Sequence, residues 1–371
     1  MANFKDVVLK QKCIPFLKTK SRREHSGRVK FVTQDKQQLP PAMAEERQIA
    51  LRDAIREAME EEMRRDQDVF LMGEEVAEYE GAYKVTVGML DEFGPKRVID
   101  TPISELGFAG IGVGASMNGL RPIVEFMTWN FALLATDQII NSAAKMYNMS
   151  GGHFHCPITF RGPNGSAGQL AATHSQAFEY LYGNVPGLKV VSVADPYFAK
   201  GLLKSSIRDD DPVVFLESEV AYGDKGHVPE EEYLIPLGKA YVTREGEDVT
   251  IVSWNKMMQV ANEAADALAE EDISAEVINL LSIRPLDFET IVESVKKTNR
   301  LVIIEESAPL ASISSEITYQ VQKHAFDYLD APVKRLTAAD TPLSYAPTLV
   351  EAYLPNASQA VRAAKSALYL L

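Results

Sequence analysis

The sequence predicts an α/β protein of two doubly wound domains, the first larger than the second. Runs of β-branched residues alternate with segments whose apolar residues recur at helical spacing. This pattern is typical of a mainly parallel sheet covered by helices on both faces. The 371-residue chain is too long for one ordinary hydrophobic core. A polar stretch rich in glycine, proline and glutamate separates two such alternating blocks.

These features divide the chain into four parts. We expect a flexible basic extension at 1–45, a first domain at 46–222, a linker at 223–243 and a second domain at 244–371. The first forty residues contain ten lysines and arginines against three acidic residues. They lack the apolar core and cleavage site of a secretory signal, so a mobile extension is favoured over a cleaved presequence.

The elements of the first domain follow from apolar periodicity and from short β-branched runs. An opening helix is expected from Ile49, because apolar residues recur through Met63 at helical spacing. Further helices are expected from near Ser104, across 129–144, from His174 through Tyr182, and ending at Arg208. The predicted strands are 68–73, 97–100, 121–126, 157–161, 188–193 and 213–217.

The second domain repeats the alternation on a smaller scale, which predicts a second doubly wound unit. Its strands are expected at 248–253, 275–279, 300–304 and 333–338, and its helices at 257–270, 287–297 and 312–326.

Composition limits the possible partners. The net charge of −14 disfavours nucleic acid and anionic membranes as partners, and no apolar run is long enough to span a bilayer. Two cysteines, Cys13 and Cys156, argue against a disulfide framework and indicate a reducing compartment.

One stretch, 101–115, places a single carboxylate, Glu105, among apolar residues and glycines near the start of a predicted helix. Two interpretations stay open. Glu105 is either a helix-start carboxylate favoured by the helix dipole, or a buried acid with a raised pKa that exchanges a proton with a ligand. A dinucleotide site is excluded, because the preceding strand ends about ten residues before the first glycine of the motif.

A second candidate is His174, which follows a long glycine-rich loop at the edge of the predicted sheet. Long loops of this kind often carry functional residues. The nearby pair His153 and His155 is not expected to bind a metal, because no further ligands are grouped with it. The chain has no P-loop, and no Gly-Asp-Gly motif that would hold a metal diphosphate.

Taken together, these segments resemble the beta-subunit family of the pyruvate dehydrogenase first component, a thiamine-diphosphate-dependent 2-oxo acid dehydrogenase. The resemblance runs from about Ile49 to the C-terminus. It implies a transketolase-like pyrimidine-binding domain followed by a transketolase C-terminal-like domain. The segments that carry it are 73–76, 81–85, 100–110, 141–145, 160–165, 174–176 and 186–191.

The resemblance implies a division of labour between two subunits. An alpha subunit would hold the diphosphate of thiamine diphosphate and its magnesium ion, and this chain would supply the aminopyrimidine side of the cofactor. The position of the family's activating glutamate is Glu105, whose carboxyl would bond the pyrimidine ring. Phe131 matches an aromatic residue that packs on that ring. His174 matches a histidine near the substrate carbonyl and the lipoyl entrance.

The resemblance also implies a structural potassium ion. Its ligand positions correspond to Ile158, Ser206, Ile207, Asp209 and Asp211, and oxygen ligands suit a hard cation. Glu74 and Asp137 match acids that link the two active sites in relatives. Leu134 departs from the Gln or Glu of the family, which puts a continuous proton relay in doubt.

The implied activity is oxidative decarboxylation of pyruvate, with reductive acetylation of a lipoyl group, by an alpha2-beta2 heterotetramer that docks on the dihydrolipoyl acetyltransferase core. The expected location is the bacterial cytoplasm or the mitochondrial matrix, with the cytoplasm favoured. A branched-chain 2-oxo acid dehydrogenase beta subunit and a non-catalytic scaffold of the same fold remain alternatives. A self-contained transketolase-type enzyme is the least favoured, because the diphosphate-binding half is missing.

Overall fold

The computed structural model describes residues 47–371, so the predicted extension at 1–45 lies outside the described residues. The first part of the chain forms strands β1 (Gln48–Ala50), β2 (Val69–Gly73), β3 (Val98–Asp100), β4 (Arg121–Glu125), β5 (Thr159–Pro163), β6 (Lys189–Ser192), β7 (Val213–Glu217) and β8 (Lys225–His227). Its helices are α1 (Leu51–Arg65), α2 (Met89–Phe93), α3 (Glu105–Met117), α4 (Ala144–Met149), α5 (Glu179–Gly183) and α6 (Pro196–Arg208).

The second part continues the alternation. Its strands are β9 (Tyr241–Arg244), β10 (Val249–Ser253), β11 (Ala275–Asn279), β12 (Ser282–Arg284), β13 (Leu301–Ile304) and β14 (Lys334–Leu336). Its helices are α7 (Met257–Ala269), α8 (Phe288–Thr298), α9 (Ile313–Ala325), α10 (Pro347–Tyr353) and α11 (Ala357–Ala367).

Two mainly parallel sheets organise these elements, as the sequence predicts. The larger has the order β12-β6-β7-β5-β4-β2-β3, and the smaller has the order β14-β13-β10-β11-β9. Only β12 and β9 run antiparallel to their neighbours within these two sheets of the described chain. Neighbouring residues of one strand, such as Ile123 and Val124, enter separate apolar clusters, so both faces of the larger sheet are covered.

Three local predictions are corrected. The first helix begins at Leu51 rather than Ile49, because 48–50 pair with β8 as a short antiparallel strand. The segment 129–144 is not one α-helix: a 3₁₀ turn at Phe131–Ala135 is followed by a π-helix at Gln138–Ala143 and then by α4. His174 ends a 3₁₀ turn, and the helix after it begins only at Glu179.

Segments of chain also connect the two sheets through strand pairing. The predicted linker, 223–243, carries β8 and most of β9, and β9 is an edge strand of the smaller sheet. Strand β12 leaves the second part of the chain and pairs with β6 at the edge of the larger sheet. The two domains therefore share backbone hydrogen bonds, which fixes the carboxyl edges of their sheets relative to each other.

Close packing at one turn requires glycine. Gly187, just before β6, has a φ of +98°, and a Cβ built there would lie 2.0 Å from the carbonyl oxygen of Ala144. The backbone of α4 therefore occupies the space that any side chain at 187 would need.

We predict that Gly187→Ala lowers the free energy of unfolding by at least about 2 kcal/mol, because it combines a disfavoured φ with a backbone clash. Chemical denaturation of the purified chain measures the effect. Gly223→Ala is the matched control, since a Cβ added there would meet nothing within 4 Å and its φ is ordinary. Equal midpoints for the two variants would contradict the packing described here.

Candidate active site

Glu105 is the first residue of α3 and is buried, with 4% of its surface exposed. Two sets of hydrogen bonds hold this helix start at the carboxyl edge of the larger sheet. The amide of Thr101 donates to the carbonyl of Gly73 at 2.9 Å, so the chain leaving β3 is tied to the end of β2. The Asp100 carboxylate accepts from the amides of Ala77 and Glu78 at 2.7 and 3.0 Å.

Glu74 follows β2 directly and lies beside Glu105. Burial raises the pKa of Glu74 from its usual 4.5 to about 7, and the negative charge of Glu105 adds to the rise. Its Oε1 is buried without a hydrogen-bond partner among residues 47–371, and so is the Oγ1 of Thr101. Buried polar atoms normally have partners, so the open oxygen of Glu74 indicates a place for a polar ligand.

The structure brings Phe131 and His174 together. Their rings meet edge to face, with centroids 5.0 Å apart and an interplanar angle of 75°. The amide of Gln176 donates to Oδ1 of Asn130 at 3.3 Å, which ties the backbone near His174 to the segment that carries Phe131. That segment packs against α3, the helix that Glu105 begins. Glu105, Phe131 and His174 thus belong to contiguous elements.

Glycine permits the close approach of α3 to the irregular segment. A Cβ at Gly110 would lie 3.3 Å from the Cδ of Gln138, which begins the π-helix. π-helical turns are rare and are frequent at functional sites. The sequence analysis missed this turn, because apolar periodicity does not distinguish π from α geometry over six residues.

The five predicted potassium ligands also meet, where α6 turns into β7. However, cationic side chains of the protein already contact their oxygens. Arg121 Nη1 donates to the carbonyls of Ile207 and Asp209 at 3.1 and 3.0 Å. Lys189 Nζ lies 2.7 Å from both carboxylate oxygens of Asp209 and 3.1 Å from Asp211.

Remaining members of the predicted potassium set are bonded within the backbone. The carbonyl of Ile158 accepts from the amide of Val213 at 2.9 Å, and that of Ser206 from the amide of Asp209 at 3.2 Å. Burial alone would lower the pKa of Lys189, but Asp209 and then Asp211 outweigh burial and raise it, so this ammonium stays charged. Arg121 and Lys189 thus bring positive charge to three of the five predicted ligands, and potassium binding stays a prediction.

The two relay acids occupy different environments. Glu74 is buried, whereas Asp137 accepts a hydrogen bond from Nδ2 of Asn141 at 2.7 Å on the surface of the π-helical segment. Leu134, between them in the family's relay, is 66% exposed. An aliphatic side chain cannot carry a proton, which agrees with the expectation that Leu134 interrupts a continuous relay.

The domain models of known families match almost the whole described chain. The transketolase pyrimidine-binding domain matches residues 47–225, and the transketolase C-terminal domain matches residues 238–360. Curated relatives named pyruvate dehydrogenase E1 component subunit beta are 55% identical in Rickettsia felis, over 87% of this chain and 99% of that protein, and 53% identical in Rhizobium meliloti, over 89% and 72%. The mitochondrial relative of Dictyostelium discoideum is 54% identical, over 86% and 91%.

The chain belongs to the pyruvate dehydrogenase E1 beta-subunit family. A solved structure of a split-gene transketolase, an inactive beta4 tetramer, shares the fold with a TM-score of 0.72 and 24% identity, over 87% of this chain and 99% of that one. The two-domain transketolase-like fold predicted from the sequence is confirmed. None of the helices in 47–371 combines the length and the apolar character needed to cross a membrane.

Members of a transketolase-like family use thiamine diphosphate, and the residues of this site suit the aminopyrimidine part of that cofactor. A buried carboxyl pair with an open oxygen suits an aminopyrimidine, which presents both ring nitrogens and an amino group. The aromatic ring of Phe131 lies on the segment that packs against the helix that Glu105 begins. Glu105, Glu74 and Phe131 are the residues that fit the aminopyrimidine. In the sequence, the position of Glu74 at the carboxyl end of a buried strand is the indication that it faces a crevice.

We predict that Glu74→Gln flattens the pH dependence of stability between pH 4.5 and 7. The folded chain keeps the Glu74 proton to about pH 7. The unfolded chain releases that proton near pH 4.5, so stability falls as the pH rises through this window, by at most about 1.4 kcal/mol per unit.

Denaturation midpoints measured from about pH 4.5 to about pH 8 test the prediction. Glu75→Gln, at the exposed neighbouring carboxylate, is the matched control and should keep the wild-type slope. An unchanged slope in Glu74→Gln would show that the pKa of this carboxyl does not differ between the folded and the unfolded chain.

Proposed function

We propose that this chain is a pyruvate dehydrogenase beta subunit that works only together with an alpha subunit. In this proposal the assembled enzyme decarboxylates pyruvate oxidatively and transfers the acetyl group to the lipoyl group of dihydrolipoyl acetyltransferase. The family membership supports the reaction. The observation that carries the assignment to this site is the buried, electrostatically coupled pair Glu74 and Glu105 at the sheet's carboxyl edge.

Thiamine diphosphate, when bound, supplies a carbon acid whose deprotonated form attacks 2-oxo acids. The protein's part is to hold and move protons at the aminopyrimidine. Burial and the neighbouring carboxyl raise the pKa of Glu74 to about 7, so Glu74 holds a proton near neutral pH. Glu105 then bonds the pyrimidine ring nitrogen and donates a proton to it, and the proton held by the adjacent Glu74 replaces the one that Glu105 gives up.

Phe131 and His174 have two further roles in this proposal. Phe131 provides an apolar face for the pyrimidine, and its contact with the His174 ring fixes the position of one edge of the imidazole. Imidazole is the side chain suited to proton exchange near neutral pH, and hence to general acid–base work on the substrate carbonyl. Thr173 Oγ1 lies 2.9 Å from Nδ1, which leaves Nε2 for the substrate.

The alpha subunit is proposed to cover the outer face of α3. Ile103, Leu106 and Ile111 are 87%, 50% and 65% exposed, and Leu133 on the packed 3₁₀ turn is 47% exposed. Gly114 on the same helix is flanked by open space, which lets another backbone approach closely. Exposed apolar side chains concentrated next to an incomplete site favour a protein interface. The diphosphate and magnesium then belong to the alpha subunit.

We predict that Glu105→Gln in the assembled enzyme slows exchange of the thiazolium C2 proton of bound thiamine diphosphate by at least about 100-fold, because the proton donor to the pyrimidine is lost. Deuterium exchange followed by NMR after acid quench measures this. His174→Asn is the matched control: it should exchange normally but turn over pyruvate slowly.

A wild-type rate of C2 proton exchange in Glu105→Gln would refute the assigned role of Glu105.

Turnover of 3-methyl-2-oxobutanoate in preference to pyruvate by the wild-type enzyme would support the branched-chain alternative.

We predict that Ile111→Asp weakens binding of the alpha subunit by at least about tenfold, since it places a charge in an apolar interface. Calorimetric titration with the purified alpha subunit measures the change. Leu371→Asp, at an exposed residue of the C-terminus, is the control and should bind normally. Equal affinities for both variants would place the interface elsewhere.

A further inference from the structure

An ion pair in the second domain lies against the glycine-rich loop of the first. Lys256 follows β10, and Glu306 follows β13. These strands are parallel neighbours, so both side chains start from the same carboxyl edge of the smaller sheet. Lys256 Nζ lies 2.7 Å from Oε1 of Glu306, and the two side chains are 9% and 8% exposed. Charged groups that are buried to this extent need specific partners.

The pair satisfies every polar group of one residue in the first domain, Ser166. The amide of Ser166 donates to Oε1 of Glu306 at 2.5 Å. Lys256 Nζ donates to the carbonyl of Ser166 at 3.0 Å and also to its hydroxyl. Ser166 is itself buried. Charge-assisted bonds to a backbone N–H and a C=O specify where that peptide lies, and not merely that two domains attract each other.

The contact also requires glycine at the neighbouring position, Gly165. Gly165 has a φ of +80°, and a Cβ there would lie only 2.4 Å from Oε2 of Glu306. Only glycine lets the carboxylate reach the Ser166 amide. The contact therefore depends on residues of both domains.

Ser166 lies at the base of the loop that ends in His174. We use "His174 loop" for residues 165–176. The amide of Gly165 donates to the carbonyl of Gln176 at 3.2 Å, and the amide of Ala167 to Oγ of Ser175 at 3.4 Å, so the loop is closed at its base. Beyond this base, a pocket of about 450 Å³ separates the loop from the second domain; Gln176 and Tyr180 line one side, and Leu310 and Tyr353 the other.

We propose that Lys256 and Glu306 are positioning residues for His174: they fix the base of the His174 loop and thereby the imidazole. This inference rests on the proposed role of His174. The ring of His174 contacts its loop neighbour Thr173 and one edge of Phe131, so its position follows the loop backbone. Misplacement of a catalytic group by about 1 Å can cost about 100-fold in rate.

Amide hydrogen exchange of the full-length chain tests the contact itself. In Lys256→Met, the Ser166 amide and the His174 loop should exchange at least about tenfold faster, because two charge-assisted bonds are lost. Glu306→Gln keeps the volume and one acceptor oxygen and should show a smaller increase. Lys365→Met is the matched control, since it removes an ion pair with Glu271 in the same domain. Wild-type protection of the loop in both pair variants would overturn the proposal.

Turnover by the assembled enzyme tests the link to His174. Lys256→Met should lower kcat about tenfold with His174 present and less than about twofold in a His174→Ala background. The swap of Lys256→Glu with Glu306→Lys restores an ion pair but presents the wrong charges to the Ser166 peptide, so it should not restore kcat. Recovery of kcat by the swap would overturn the positioning role. Full additivity of the Lys256→Met and His174→Ala effects on kcat would overturn it as well.

The two tests also separate this proposal from the function on which it rests. If His174→Ala keeps wild-type turnover, the assigned role of His174 is wrong and positioning falls with it, whereas faster loop exchange would still establish the contact between the domains.

Discussion

One buried cation holds together the edge of the sheet on which the site is built. Arg161, on β5, is 1% exposed and donates to both carboxylate oxygens of Glu217 on β7, at 2.6 and 2.5 Å, and to Glu125 at the end of β4. Tyr222 adds a bond to Glu217 at 2.6 Å. A buried pair of this kind is costly to break, by about 3–5 kcal/mol, because the remaining charge is stranded. The cluster therefore fixes three adjacent strand ends.

The site loops depart from these strand ends. The His174 loop begins four residues after Arg161, and Phe131 follows β4 by six residues. Burial raises the pKa of Glu125, and Glu217 adds to the rise although Arg161 opposes it. The same edge thus carries two carboxyls, Glu74 and Glu125, whose pKa values burial raises. Acids crowded at the carboxyl ends of parallel strands make this edge suited to holding protons.

The second sheet repeats the arrangement for a different purpose. Glu306 lies two residues after β13 of the smaller sheet, and Glu74 lies directly after β2 of the larger one. Glu74 has an unpartnered oxygen and faces a second acid, whereas Glu306 is neutralised by Lys256 and bonded to a peptide. A carboxyl near the carboxyl end of a parallel strand therefore has an open oxygen in one domain and anchors a peptide in the other. What differs is the partner that tertiary packing brings to each.

The sequence by itself determined the strands, most helices, the two-sheet architecture and the candidates Glu105 and His174, because alternation of buried runs and placement after strands or in glycine-rich loops are local properties. Only the tertiary structure decided that β12 crosses to the other sheet, that residues 131–143 wind as 3₁₀ and π turns, and that Lys189 and Arg121 lie against the predicted potassium ligands. It also decided which acid pairs with which cation. These outcomes depend on contacts between residues far apart in the chain, and the energy of a buried charge is set by the atoms around it rather than by its neighbours in sequence.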